Sequence, residues 1–371
     1  MTARAAGESA LAVAIALSIA GCAVRVPRTV AVRFPGPAGS IKGAIYLPEG
    51  PGPHPGVVLV HGAVRTSYRD FVQEARSFAE HGVAALAYDA RGAGGSAGDR
   101  TRARFEHLAH DALAAVRCLR GRAEVDSLRV GLWGYDQGGW IAPLAASRDT
   151  TIAFVVLVST PFVTPLNQVS YRRTEDLVAR GMEREEAEAL VGLRRRIWEY
   201  WLSPAGSGTP ASDSLRKALD AARRRPWFAP AVEARDLPEH LPPDEGMGAV
   251  NHPARWWLRD NFPAFWSLRY DPAPALAAVR APMLAVYGAE DRALRLEEHG
   301  KRFRRAVGPR FGRDALVRIF PGADHMLHVE RGSGILRKVV SAPGFRDSVF
   351  AWVGRVVGGG ERSAGGGGGG D

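Results

Sequence analysis

Three residues able to attack carbon or move protons follow closely on three apolar runs of the chain. Asp136 comes after "LRVGLWGY", Asp291 after "PMLAVYGAE" and His325 after "IFPGAD". One carboxylate can serve as a nucleophile and the imidazole as the base that activates water. The second carboxylate then fixes the imidazole tautomer and stabilises its cation. Asp136 stands in "GLWGYDQGGW", a Gly-x-nucleophile-x-Gly frame in which a strand reverses sharply into a helix. Gly134 and Gly138 flank it because bulkier residues there would clash. The frame ordinarily carries serine, so two readings stay open: attack by a carboxylate, or a serine-type site that has lost its nucleophile.

The elements that must position these residues are legible as a pattern. "TVAVRF" and "SIKGAIYLP" alternate with period two and read as an antiparallel opening pair. "GVVLVHG", "VAALAYD", "LRVGLWGY", "IAFVVLVS", "PMLAVYG" and "ALVRIFPG" read as further strands, the continuous apolar ones buried on both faces. Helix-length segments separate most of them, which predicts βαβ units and a mostly parallel central sheet flanked by helices. The helix begun by "QGGWIAPLAAS" points its free N–H groups at position 136, so the Gln137 N–H is the first expected oxyanion donor. The second is expected from the "HGAVR" loop, at Ala63.

These stretches, with "HGAVRTS", "YDARGAGGSAG", "DPAPALAAVRAPMLAVYGAEDR" and "FPGADHML", resemble the α/β-hydrolase superfamily. The similarity is nearest to bacterial serine-aminopeptidase-like and prolyl-oligopeptidase-like hydrolases, which have serine where this chain has Asp136. It implies an α/β-hydrolase fold with a helical cap insertion, a triad of Asp136, Asp291 and His325, and a small-molecule or short peptide substrate. Haloalkane dehalogenases and epoxide hydrolases use aspartate at this position, although this chain has Gln137 after it and "HGAV" where they usually have a proline. A carboxylate attacking an ester would form an anhydride, whereas attack on a halide- or epoxide-bearing carbon forms an ordinary ester that activated water can cleave. An epoxide route also wants acidic hydroxyls, for which Tyr171 and Tyr200 are candidates. A non-enzymatic binding relative is the remaining alternative.

Several neighbours of these motifs are read as structural. Asp89 and Arg91 are expected to lock the "DARGAGGS" loop to itself, His61 to support its own loop, and Asp324 to point away from the site. Ser159 could replace the missing nucleophile only through an unusual geometry. Cys118 reads as a small buried residue. His299 and His328 lack paired metal-ligand spacing and no phosphate-binding motif is present, so no cofactor is expected.

The 371 residues, 46% hydrophobic and 24% charged, suit one large domain with an insertion. The net charge of +10 arises from 49 basic and 39 acidic residues scattered along the chain, without the aromatic-basic module of a nucleic-acid binder. An apolar run from Ala10 to Ala20 precedes "IAGC", which resembles a lipobox with Cys22 as the lipidated residue. The expected organisation is a signal peptide over 1–21, a linker and first strand over 22–40, and core over 41–160. A cap over 161–275, core over 276–357 and a glycine-rich tail over 358–371 complete it. Lipidation at Cys22, with Ala23 after it, would place the protein at the outer membrane, facing the periplasm.

Overall fold

Runs of β-branched and small apolar residues build the sheet. The computed structural model describes residues 27–63, 66–202, 209–234, 236–239, 265–332 and 338–358. Its first strands are β1 (Arg28–Gly36), β2 (Gly39–Leu47), β3 (His54–Val60) and β4 (Ala84–Tyr88). They are followed by β5 (Val125–Tyr135), β6 (Val155–Val158), β7 (Met283–Gly288) and β8 (Ala315–Phe320). These form one eight-stranded sheet in the order β1-β2-β4-β3-β5-β6-β7-β8. β1 and β4 both pair antiparallel with β2, and every other neighbouring pair is parallel. A short ribbon of β9 (His328–Arg331) and β10 (Lys338–Ser341) lies apart from it.

Because side chains alternate across a strand, each central strand feeds two cores. Val58, Leu86, Leu132 and Leu157 pack on one face, under α2 (Phe105–Arg120), α3 (Gly138–Ala146), α8 (Ala273–Ala278) and α9 (Leu296–Val307). Val57, Ala85, Trp133 and Val156 pack on the other, under α1 (Val72–Glu80) and α10 (Phe345–Gly358). Each fully buried valine or leucine contributes roughly 1.5–3 kcal/mol relative to exposure. Burial on both faces therefore explains why these strands read as unbroken apolar runs. The mostly parallel sheet flanked by helices is the fold class that the sequence predicts.

Between β6 and β7 lie α4 (Pro165–Ala179), α5 (Arg184–Trp201), α6 (Thr209–Ala222) and α7 (Phe228–Glu233). Thr164 caps α4, its hydroxyl accepting from the Asn167 N–H at 3.3 Å, with Pro165 at the first helical position. These helices share their own apolar cluster, including Leu190, Ile197, Trp201, Leu219 and Phe228. Asp236 ties them together by accepting from Arg194 of α5 at 3.0 Å and from Arg173 of α4. Burial lowers the Arg194 guanidinium to about 10, even with Asp236 beside it. The helical layer rests on the carboxyl ends of the strands through Trp140 Nε1–H to the Val163 carbonyl at 3.1 Å and Gln168 Nε2–H to the Ala293 carbonyl at 2.6 Å. Cys22, the glycine-rich tail beyond 358 and most of "NHPARWWLRDNFPAFW" lie outside the described residues. Among the described residues no helix is long and apolar enough to cross a membrane.

Candidate active site

The chain steps from β3 outward to β4 and then back across to β5, so β3 and β5 are neighbours whose connections leave on opposite faces. In open α/β sheets a crevice forms at the carboxyl ends of such strands. Asp136 follows β5 at this point. Its φ of +49° is a left-handed conformation unusual for a residue with a side chain. The turn is held by the Asp136 N–H to the Val158 carbonyl and the Gly139 N–H to the Asp136 carbonyl, both at 3.0 Å. A methyl group on Gly134 would sit 2.4 Å from the Gly138 carbonyl oxygen, and one on Gly138 would sit 2.3 Å from that of Val60. Glycine at both positions is therefore a packing requirement of the strand-to-helix reversal.

Asp291 and His325, from the loops after β7 and β8, meet at this turn. His325 Nδ1 lies 2.8 Å from Asp291 Oδ2, and His325 Nε2 lies 3.8 Å from Asp136 Oδ1. The Asp291 carboxylate is fully buried, and its Oδ1 accepts the Ala293 N–H at 2.9 Å. Nδ1–H thus donates to Asp291 and Nε2 faces Asp136, the order that base catalysis needs. Burial by itself pulls the His325 imidazole down, but the carboxylates of Asp136 and Asp291 outweigh it and raise it to about 9. At neutral pH the resting site is an imidazolium between two carboxylates.

Of the two expected oxyanion positions, Gln137 follows Asp136 directly and Ala63 lies on the loop after β3. Gln137 is the N-cap of α3, so its N–H lies ahead of the helical hydrogen-bond ladder. The β3 loop passes beside the carboxylate: a methyl on Gly62 would lie 3.6 Å from Asp136 Oδ2. Arg100 donates to the carbonyl of Ala63 and tethers that loop.

Ser159 takes a part that its sequence context does not announce. It is fully buried, has φ +48°, and its hydroxyl donates to the His325 carbonyl at 2.7 Å. Its oxygen holds the histidine loop. Asp324 faces away from the imidazole, its Oδ1 accepting the N–H groups of Met326 and His328 at 2.8 Å. His61 is buried edge-on to Tyr88, with ring centroids 5.4 Å apart, and burial lowers it to about 4. Cys118 is half-buried and free.

The expected lock between Asp89 and Arg91 is not what forms. Asp89 accepts from the Ser67 hydroxyl at 3.1 Å and from the Tyr68 and Gly95 N–H groups at 2.9 Å. Arg91 instead makes a bidentate pair with Asp111 of α2, at 2.6 and 2.7 Å. Loop amides satisfy the aspartate, which leaves the guanidinium free to reach the helix behind it. Tyr171 lies under the Arg295 guanidinium, 4.4 Å from its ring centre, and burial raises its hydroxyl. Tyr200 lines a separate cavity of about 620 Å³ with Arg196 and Arg269. Among the described residues no cluster of histidine, cysteine or acidic side chains could hold a metal ion.

A mostly parallel sheet carrying an elbow turn, an acid and a histidine after β5, β7 and β8 in that order defines an α/β hydrolase. The chain belongs to the alpha/beta hydrolase family, whose profile matches residues 57–337. It is similar to Esterase EstD of Thermotoga maritima, with 25% identity over 259 residues covering 68% of this chain and 50% of that protein. An uncharacterized 31.7 kDa protein of the Escherichia coli traX-finO intergenic region is 27% identical over 153 residues, covering 41% of this chain and 50% of that one. The chain thus spans about half the length of these curated relatives. Among solved structures, DcsB in complex with its substrate analogue superposes with a TM-score of 0.53 at 17% identity, over 90% of this chain and 99% of that one. The 2,6-dihydroxy-pseudo-oxynicotine hydrolase gives 0.50 at 14% identity, over 90% and 69%. These structural likenesses are likenesses of fold.

Proposed function

We propose that the protein hydrolyses a small organic substrate through Asp136, with His325 acting on water and Asp291 orienting the imidazole. The observation that carries this reading is the placement of a carboxylate on the elbow, with His325 Nε2 3.8 Å from Asp136 Oδ1 and Asp291 Oδ2 2.8 Å from Nδ1. Against the pull of burial, the carboxylate of Asp136, together with Asp291, raises His325 to about 9, so the imidazole rests as a proton donor opposite the nucleophile. A carboxylate needs no base to attack. The bond class this favours is one at saturated carbon, in a halide or an epoxide.

In the first step a carboxylate oxygen of Asp136 displaces the leaving group and forms a neutral alkyl ester. The imidazolium gives its proton to an alkoxide leaving group, or to solvent when halide departs. Loss of the Asp136 charge removes one of the interactions that hold the His325 proton, so burial again favours the neutral ring. Neutral His325 then takes a proton from water, whose oxygen attacks the ester carbonyl. The N–H groups of Gln137 and Ala63 receive the developing oxyanion. Collapse expels the alkoxide, which takes the proton from His325, and the Asp136 carboxylic acid so formed passes its own proton to His325, restoring the carboxylate and the imidazolium.

Incubating a His325→Gln variant with epoxides and haloalkanes and measuring intact mass tests this directly. A stable adduct mapping to Asp136 is expected, and turnover by an Asp136→Asn variant would sink the reading. A second reading is favoured by the esterase among the relatives and by a "GYDQGGW" frame that otherwise resembles serine-aminopeptidase-like hydrolases. On that reading, Asp136→Ser alone would gain cleavage of aryl esters or aminoacyl amides. We further propose lipid anchoring through Cys22, for which labelled palmitate should be incorporated by the natural chain and not by Cys22→Ala.

A further inference from the structure

Met326 directly follows His325 and is 40% exposed, more than its backbone alone can supply. Among the described methionines it is the most open, since Met283 is fully buried in the sheet and Met182 is half-buried. Its sulfur accepts the Tyr135 hydroxyl, and Tyr135 is the buried residue immediately before Asp136. The thioether therefore joins the loop that carries the histidine to the strand that carries the elbow aspartate.

The two sides of this link differ in stiffness. Tyr135 belongs to β5 and stacks on the buried Trp133, with ring centroids 6.2 Å apart, which in turn meets Phe71 edge-on at 6.0 Å. The histidine loop is held by single hydrogen bonds: Asp324 Oδ1 accepts the Met326 and His328 N–H groups at 2.8 Å, and the Ser159 hydroxyl donates to the His325 carbonyl at 2.7 Å. A change at the sulfur is thus taken up by the loop. His325 has little room to follow it, because its ring must stay 2.8 Å from Asp291 and 3.8 Å from Asp136.

We propose that Met326 is an oxidation site through which peroxides disable the triad. The sulfur lone pair attacks one peroxide oxygen and the O–O bond breaks. The departing hydroxide takes the proton of the transferred oxygen and leaves as water, so that the sulfur is oxidised to the sulfoxide by two electrons and the peroxide is reduced. The product is polar and larger. Tyr135 must then donate to an oxygen that stands out from the sulfur, and its packing in the core keeps it from retreating. Met326 moves outward and takes His325 with it. Misplacing a catalytic group by about 1 Å can cost about 10²-fold in rate. The proposal rests on the position of His325 and holds whichever bond the site cleaves.

Brief treatment of the full chain with hydrogen peroxide, followed by peptide mapping and by NMR titration of the His325 carbon-bound proton, tests it. Met326 should gain one oxygen about tenfold faster than Met182 or Met283. The imidazole of the oxidised chain should titrate lower by about one pH unit or more, as it draws away from a carboxylate. Met326→Leu should show no peroxide-dependent change at His325. Oxidation of Met326 no faster than of Met182, an unchanged His325 titration once Met326 is fully oxidised, or the same peroxide response in Met326→Leu would each overturn the proposal. Mapping and titration of the natural chain decide the matter even if the variant does not fold.

Discussion

Replacing Asp136 with asparagine keeps the side chain's shape and removes one of the two carboxylates that hold the His325 proton. The imidazole should therefore titrate well below its value of about 9, and its carbon-bound proton followed by NMR across pH 5 to 10 would report the change. The same variant should lose about 10³-fold or more in turnover, since an amide cannot form the alkyl ester. An unchanged imidazole titration would mean that Asp136 does not interact with His325 as its 3.8 Å separation implies. At this scale the sequence announces which residue types fall after which strands, because strand ends and turn glycines are local patterns. It does not announce partners. Asp111 as the mate of Arg91, and Ser159 as the anchor of the His325 carbonyl, come from other elements and carry no signal of their own.

The elbow is an element whose cost can be measured. Gly138→Ala sets a methyl group 2.3 Å from the Val60 carbonyl oxygen, a contact with rigid backbone that only movement of α3 away from β3 relieves. Destabilisation by about 2–4 kcal/mol is expected in chemical denaturation. A near-neutral result would show that the α3 start has more room than this contact allows. Among the helices between β6 and β7, Asp236 is the acceptor shared by Arg173 and Arg194. Asp236→Ala leaves two guanidiniums without it, one of them buried, at a cost of about 3–5 kcal/mol. Limited proteolysis should then cut within α4–α7 while the sheet stays intact. Cleavage no faster than in the natural chain would mean that the apolar cluster alone holds these helices. The α5 helix carries an apolar stripe that is periodic over many turns, a pattern local enough to be legible in the sequence. The Asp236 contacts were not legible, since they join residues distant in sequence.

Across the whole molecule, buried histidines set opposing limits on pH stability. His325 is raised to about 9 in the fold, so its contribution is complete below about 6.5 and is lost as pH rises through about 9. His61 and His299 are lowered to about 4, so the unfolded chain takes up their protons first and stability falls as pH drops from about 6.5 to 4. Each fully shifted histidine contributes a slope of roughly 1.4 kcal/mol per pH unit within its window. Denaturation midpoints should peak near neutrality, and Asp136→Asn should reduce the loss on the alkaline side. A midpoint that keeps rising to pH 9 would contradict the resting imidazolium. The sequence by itself determined the strands, their burial, the elbow and the chain order of Asp136, Asp291 and His325, because hydrophobic period and turn chemistry act between near neighbours. Only the tertiary structure decided that two carboxylates flank one imidazole, that Arg91 serves α2, and that the Tyr135 hydroxyl meets the Met326 sulfur. Charge state and hydrogen-bond partnership depend on distances across the sheet, and those exist only once the strands have paired.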